Sequence, residues 1–207
     1  SLSIINYGAT ITNLFVPDRN GNLIDIIVGL KQPEDYIGKP YSKVKLYLGS
    51  SIGRYAGRIS KGQFQIKTKT YKINHKDGVH LHGGKGFDER FWNIEELKEN
   101  SVTMSYFSVH LEEGYPGNLK VYVKYELTDD NTLNINYTAT SDEVTPVNLT
   151  SHPYLNLNGQ GSVLAHELFI NSNQYLEVDE KLLPTGKILD SKNTPFDRTN
   201  VVSINKK

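Results

Sequence analysis

The chain has 207 residues, with 23 Lys plus Arg balanced by 23 Asp plus Glu, and no cysteine. A neutral chain has no basic excess to neutralise phosphates, which argues against nucleic acid as the main partner. The lack of cysteine removes disulfides, thiolate catalysis and cysteine zinc sites. No apolar run approaches the ~20 residues that a membrane-spanning helix needs, and the first residues carry no signal-peptide pattern. No membrane partner is expected, and the chain is taken as cytoplasmic, although the lack of cysteine says little about compartment. A chain of this length can bury roughly 70% of its unfolded surface, enough for a real core.

In chain order, LSIINYGATITNLFV (2–16) predicts two strands about a glycine-centred break. Pro17–Asn22 is a turn with Asn-Gly at its tip, and IDIIVGL (24–30) completes a hairpin. Pro33-Glu34-Asp35-Tyr36 has room for one helical turn. Residues 63–74 alternate as a strand, with Phe64, Ile66, Thr68 and Thr70 on one parity. Strands follow over WNIEELKEN, SVTMSYFSVHL and the 119–140 region, where Asp129-Asp130-Asn131 makes a tight turn between 119–128 and 132–140. No stretch sustains a helical period, and no linker or repeat divides the chain. The fold class is all-β, a large antiparallel β-sandwich, with 1–207 as a single domain.

Four segments carry candidate chemistry. In HLHGG (80–84), the i, i+2 spacing puts His80 and His82 on one face of a strand. A metal site there needs a carboxylate close by. Asp88 and Glu89 lie six and seven residues beyond His82, a spacing that suits a metal poorly. Gly83 and Gly84 allow backbone to approach a ligand. In SHPYLNL (151–157), Pro153 biases His152 to extended backbone. His152 is either a satisfied core histidine or a general acid, since imidazole titrates near neutrality. In GRYAGRI (53–59), Arg54 and Arg58 share a parity if the segment is a strand, and a loop is equally open. An arginine fork suits hydroxyl or carboxylate recognition, whereas isolated arginines are ordinarily solvated or salt-bridged at the surface. In EEGYPGNL (112–119), the pair Glu112 and Glu113 reads best as solvated loop charge.

The ordered blocks NYGATITNLFVPDRNG, SIGRYAGRI, LHGGKGFDERFW, EEGYPGNL, TPVNLTSHPYLNL and LLPTGKI…TPFD together resemble the aldose 1-epimerase (galactose mutarotase) family over nearly the whole chain. The resemblance implies a galactose mutarotase-like supersandwich with an open cleft, no metal and no organic cofactor. It implies an enzyme that interconverts the α and β anomers of free aldohexoses such as glucose and galactose. By motif, His152 matches the general acid on the ring oxygen. His82 matches the second histidine near that oxygen, and Arg58 matches the sugar-binding arginine. His80 has no family role and is expected to be structural. Tyr154 and Phe87 are candidates for the apolar face of the sugar, with apolar packing in the core an equally open reading of both.

Gly57 stands where many relatives have Asn, and Ser151 replaces a common Asn; Pro153 and Leu155 are further departures. The family's base Glu and its sugar-binding Asp come after the TPFD block, so Asp197 is neither, and both are expected beyond residue 207. The resemblance thus implies a chain incomplete at both ends. Two alternatives stand beside the epimerase: a non-catalytic carbohydrate-binding sandwich, and a hexose-phosphate epimerase recruiting Arg54, Arg58 and Lys85. The oligomeric state is not legible.

Overall fold

The computed structural model describes residues 1–38 and 41–205. The chain forms two compact units, Ser1–Leu155 and Asn156–Lys207.

The first unit is a two-layer antiparallel β structure. One layer is β1 (Leu2–Ile5), β2 (Thr10–Pro17) and β3 (Leu23–Asp25), hydrogen-bonded in that order. Between β1 and β2 the chain reverses through Gly8, at φ +67°, where a Cβ would sit 2.8 Å from the carbonyl oxygen of Asp88. Between β2 and β3 the Asp18 carboxylate accepts the amides of Asn20 and Asn22 at 2.7 and 2.9 Å, closing the expected turn. The third strand is shorter than the 24–30 run predicts. The Asp25 carboxylate accepts the amides of Leu14 (2.9 Å) and Ile27 (3.1 Å), a side chain taking donors that a strand would use.

Of the five short strands that lie between the two layers in sequence, four come first. They are β4 (Ser51–Ile52), β5 (Arg58–Ser60), β6 (Gln63–Ile66) and β7 (Lys69–Lys72). Residues 63–74 are therefore a hairpin rather than the single strand expected, with β6 paired to β7 and the chain turning at Lys67, φ +52°. Pro33–Tyr36 forms one 3₁₀ turn, as expected, and Tyr41–Val44 adds one α-helical turn that periodicity does not reveal. Next come β8 (Val79–Leu81), β9 (Asn93–Leu97), β10 (Ser101–Ser108), β11 (Leu119–Leu127), β12 (Leu133–Ser141) and β13 (Thr150–Ser151). Strands β9–β12 form the second layer, in the order β12-β11-β10-β9, with the turn at 128–132 where Asp-Asp-Asn predicts it.

Alternation makes the core. Leu119, Val121, Val123 and Tyr125 are the odd positions of β11, and each is at most 1% exposed. They pack with Val102 and Met104 of β10, with Ile11 and Leu14 of the first layer, and with Ile26 and Ile27 just after β3. Tyr125 ties the layers by donating its hydroxyl to the carbonyl of Ala9 at 2.7 Å. Phe87 and Trp92 lie in the same cluster, each about 1% exposed, and the Trp92 indole donates to the Phe87 carbonyl at 3.1 Å. Phe87 is thus core, not a sugar platform.

The second unit is built from β14 (Glu167–Leu168), β15 (Gln174–Val178), β16 (Pro184–Asp190) and β17 (Val202–Ser203). β15 pairs with β16 and β14 with β17, and Tyr175 packs on Phe196 with ring centroids 4.5 Å apart. The Asp197 carboxylate is engaged locally by the Thr199 amide and hydroxyl, which hold it below its ordinary pKa. No helix among the described residues is long and apolar enough to cross a membrane.

Arg54 departs most sharply from the surface arginine that its sequence suggests. It is 2% exposed and donates to the carbonyls of Ser108 (2.9 Å), Val109 (2.8 Å) and Pro116 (2.8 Å) and to the Ser108 hydroxyl (2.9 Å). Ser108 in turn donates to Glu112, which also accepts the Tyr106 hydroxyl at 2.6 Å and Arg90 Nε at 3.0 Å. Glu112 is therefore a structural acceptor rather than solvated loop charge. Replacing Arg54 by Met leaves several buried acceptors without donors. Urea denaturation of Arg54→Met is expected to show a loss of about 3–5 kcal/mol, the range for breaking a buried, hydrogen-bonded charge.

Candidate active site

The strand β8 ends at Leu81, and the next three residues take left-handed backbone: His82 at φ +51°, Gly83 at +82° and Gly84 at +75°. The predicted common face of His80 and His82 is lost there, because a strand's two-residue alternation does not survive a φ of that sign. His80 turns inward, 1% exposed. Its Nδ1 meets the carbonyl of Asn74, which only accepts, so Nδ1 carries the proton. Its Nε2 therefore accepts from the Tyr115 hydroxyl, 2.8 Å away, and burial lowers the His80 pKa. His80 is a satisfied core histidine.

His82 has the opposite tautomer. The Gly57 amide donates to His82 Nδ1 at 2.9 Å, and the His82 amide donates to the Gly57 carbonyl at 2.9 Å. An imidazole nitrogen that accepts has no proton, so neutral His82 carries its proton on Nε2. Burial pulls its pKa down to about 4, aided by the charges of His152, Arg58 and Lys45. At neutral pH the ring is an uncharged donor.

The glycines after it serve packing rather than ligand approach. A Cβ on Gly83 would lie 1.9 Å from the Gly53 carbonyl oxygen, and one on Gly86 2.3 Å from the same atom. A Cβ on Gly84 would instead meet side chains, the end of Glu113 at 2.2 Å and the His80 ring at 3.1 Å. Gly57, at φ +99°, has nothing within 4 Å of where a Cβ would stand.

His152 is placed by backbone. Strand β13 pairs with β4, and the ladder runs on: the His152 amide donates to Ser50 and its carbonyl accepts from Gly49, both at 2.9 Å. Asn148 joins the same segment to the arginine loop through its amide to the Arg54 carbonyl (2.9 Å) and its side chain to the Ala56 carbonyl (2.8 Å). The result is a ring cluster. His82 and His152 have centroids 5.4 Å apart at 77°, and Tyr154 lies 5.3 Å from His152. Tyr154 is 41% exposed, and its carbonyl accepts the Val28 amide at 2.8 Å.

Sequence reasoning missed Tyr47. It is buried, its ring stands edge-on to His82 at 4.9 Å, and it lies 5.8 Å from His152. Nothing local marks it, since Leu46-Tyr47-Leu48 reads as ordinary strand composition. Arg58 opens β5 opposite Leu81, and its charge acts on both His82 and Tyr47. The structure thus brings His82, His152, Gly57, Arg58 and Tyr154 to one region and removes Arg54, His80 and Phe87 from it. Among the described residues no group of three or more His, Asp or Glu side chains is arranged to hold a metal ion.

The architecture is shared with solved structures of this class. An aldose epimerase homologue from C. elegans superposes with a TM-score of 0.91 at 30% identity, covering 98% of this chain and 62% of that one. Galactose 1-epimerase from Lactobacillus acidophilus superposes at 0.85 and 31% identity, covering 99% and 59%. The fold is thus the galactose mutarotase-like β architecture that the motifs imply. The family model described as aldose 1-epimerase matches residues 1–207, and the chain belongs to that family. Galactose mutarotase of Bos taurus is 44% identical over 209 residues, covering 99% of this chain and 59% of the relative. Aldose 1-epimerase of Haemophilus influenzae is 40% identical, covering 95% and 57%. The chain therefore spans somewhat less than three fifths of the curated relatives' length.

Two expectations follow. Gly83→Ala places a methyl group inside backbone and should cost about 3 kcal/mol or more in chemical denaturation. For His82, the depressed folded pKa means that its neutral-state stabilisation is present above the unfolded value near 6.5 and is lost as pH falls towards about 4. The stability gap between wild type and His82→Gln, read from urea midpoints, should therefore narrow between pH 7 and pH 4.

Proposed function

We propose that this chain forms the sugar-binding and acid-supplying part of an aldose 1-epimerase, acting on free aldohexoses such as glucose and galactose. Residues 1–207 belong to one mutarotase-like domain in this reading. The observation that carries it is the pairing of His82 and His152 at 5.4 Å, with His82 held neutral and its Nε2–H free to donate.

Anomer exchange requires a proton on the ring oxygen while the C1 hydroxyl loses one. The ring opens to an aldehyde, C1 turns, and the ring recloses on the other face. In this reading His152 delivers the proton to the ring oxygen. His82 donates a hydrogen bond to the same region and orients the sugar, a task that suits a tautomer fixed by the Gly57 amide. Arg58 supplies donors for sugar hydroxyls, Tyr154 an exposed ring beside the acid, and Gly57 an open margin where a Cβ would meet nothing. The base that takes the C1 proton is not identified among residues 1–207. Asp88 and Glu89, the acids that follow HLHGG, are paired with Lys45.

Free sugars are favoured over sugar phosphates by one finding: Arg54, which a phosphate pocket would recruit, is buried and spends its donors on backbone carbonyls and Ser108. A non-catalytic sugar-binding module gains no specific observation.

Polarimetry of freshly dissolved α-D-glucose and α-D-galactose tests the reading. The protein should speed the decay of rotation over buffer. His152→Ala should lower the rate by about 10²–10⁴-fold, the usual contribution of a placed acid or base. Full activity in the variant would rule His152 out as the acid.

A further inference from the structure

A charged cluster that the reaction above leaves unused touches the same Tyr47. Lys45 Nζ lies 2.9 Å from Glu89 Oε1 and 3.8 Å from Asp88 Oδ2, donates to the Gly84 carbonyl at 2.5 Å, and stands 5.3 Å over the Tyr47 ring. Asp88 is deeply buried, its side chain 7% exposed, and its Oδ1 has no hydrogen-bond partner. That carboxylate lines a cavity of about 50 Å³ with Tyr7, Thr10, Tyr41, Tyr47 and Ser50, room for a water or two. Burial pushes the Asp88 carboxyl up to about 7 against the pull of Lys45.

The backbone here is unusual. Lys45 and Tyr47 both take left-handed conformations, at φ +49° and +58°. Such conformations in residues with a Cβ persist where the surroundings hold them in place. An ordinary surface ion pair is held loosely and needs no such backbone. What this cation does have is a ring beneath it that is pressed edge-on against His82.

We propose that Lys45 is a positioning residue of the two-histidine site: clamped by Glu89, Asp88 and the Gly84 carbonyl, it fixes the Tyr47 ring against His82 and His152. The inference rests on the reading of those histidines as the sugar site. Lys45 acts there with two other groups. His152, Arg58 and Lys45 are the charges that face His82, and all three disfavour a second proton on it.

The test is nitrogen-15 and proton NMR of the histidine rings between pH 4 and pH 8, in wild type, Lys45→Met and Lys45→Arg. Wild-type His82 should appear as the Nε2-protonated neutral form down to about pH 5. In Lys45→Met the His82 and His152 ring signals should move as Tyr47 leaves its seat, and His82 should titrate at higher pH. Lys45→Arg keeps the charge on the same carboxylates and should restore both. In polarimetry, Lys45→Met should lower kcat about 10- to 100-fold with KM nearly unchanged, as misplacement of a catalytic group does. A folded Lys45→Met with unaltered histidine signals overturns the proposal, and so does a Lys45→Arg as impaired as Lys45→Met. If Lys45→Met does not fold, Glu89→Gln removes the 2.9 Å partner and must move the same signals. A wild-type protein without mutarotation would sink the proposed reaction alone, because the ring signals still decide the role of Lys45.

Discussion

The two hydrogen bonds exchanged by Gly57 and His82 lock together two loops that are 25 residues apart in the chain. One bond uses backbone alone, and the other ends on the imidazole. This second bond requires His82 to leave strand geometry, and the left-handed run 82–84 supplies that departure. The requirement then spreads outward. Left-handed backbone carries the chain back against Gly53, so Gly83 and Gly86 must lack side chains. With the loop pressed there, Phe87 drops into the core between Trp92 and Tyr106. A local reversal of φ thus links a half-buried ring to the centre of the sandwich.

The opposite tautomers of His80 and His82 show how much environment decides. The two residues are separated only by Leu81. One meets a carbonyl through Nδ1 and so must donate there; the other meets an amide and so must accept. Burial keeps both uncharged at neutral pH, yet one ring is spent on holding Asn74 and Tyr115 while the other keeps an N–H unspent. A histidine's chemistry is set by what its second nitrogen touches.

Much of the fold was legible because strands announce themselves. Alternation in 119–127 marks the buried face of β11, and Asp and Asn mark the turns at 18–22, where Gly21 joins them, and at 129–131. The misjudged elements have two different local causes, a side chain that takes backbone amides and a residue in left-handed backbone. Asp25 ends β3 early by taking amides, and Lys67 turns a continuous alternating run into a hairpin. Of the site, the motif blocks named His82, His152, Gly57, Arg58 and Tyr154, and the structure gathers these. Arg54 misled because its acceptors are carbonyls of Ser108, Val109 and Pro116, more than 50 residues away and invisible in a local pattern. Tyr47 and Lys45 were missed for the same reason: their partners are Asp88, Glu89 and the histidines, met only in three dimensions.

The amide that fixes His82 also has a second property. Gly57 donates its N–H to the nitrogen that would take up a proton if the ring became charged. Acidification therefore removes the acceptor and frees that amide to solvent exchange, while a neutral ring keeps it protected. A single backbone proton in the arginine loop is thus an internal indicator of the charge on the neighbouring imidazole, readable without any substrate and without altering a residue.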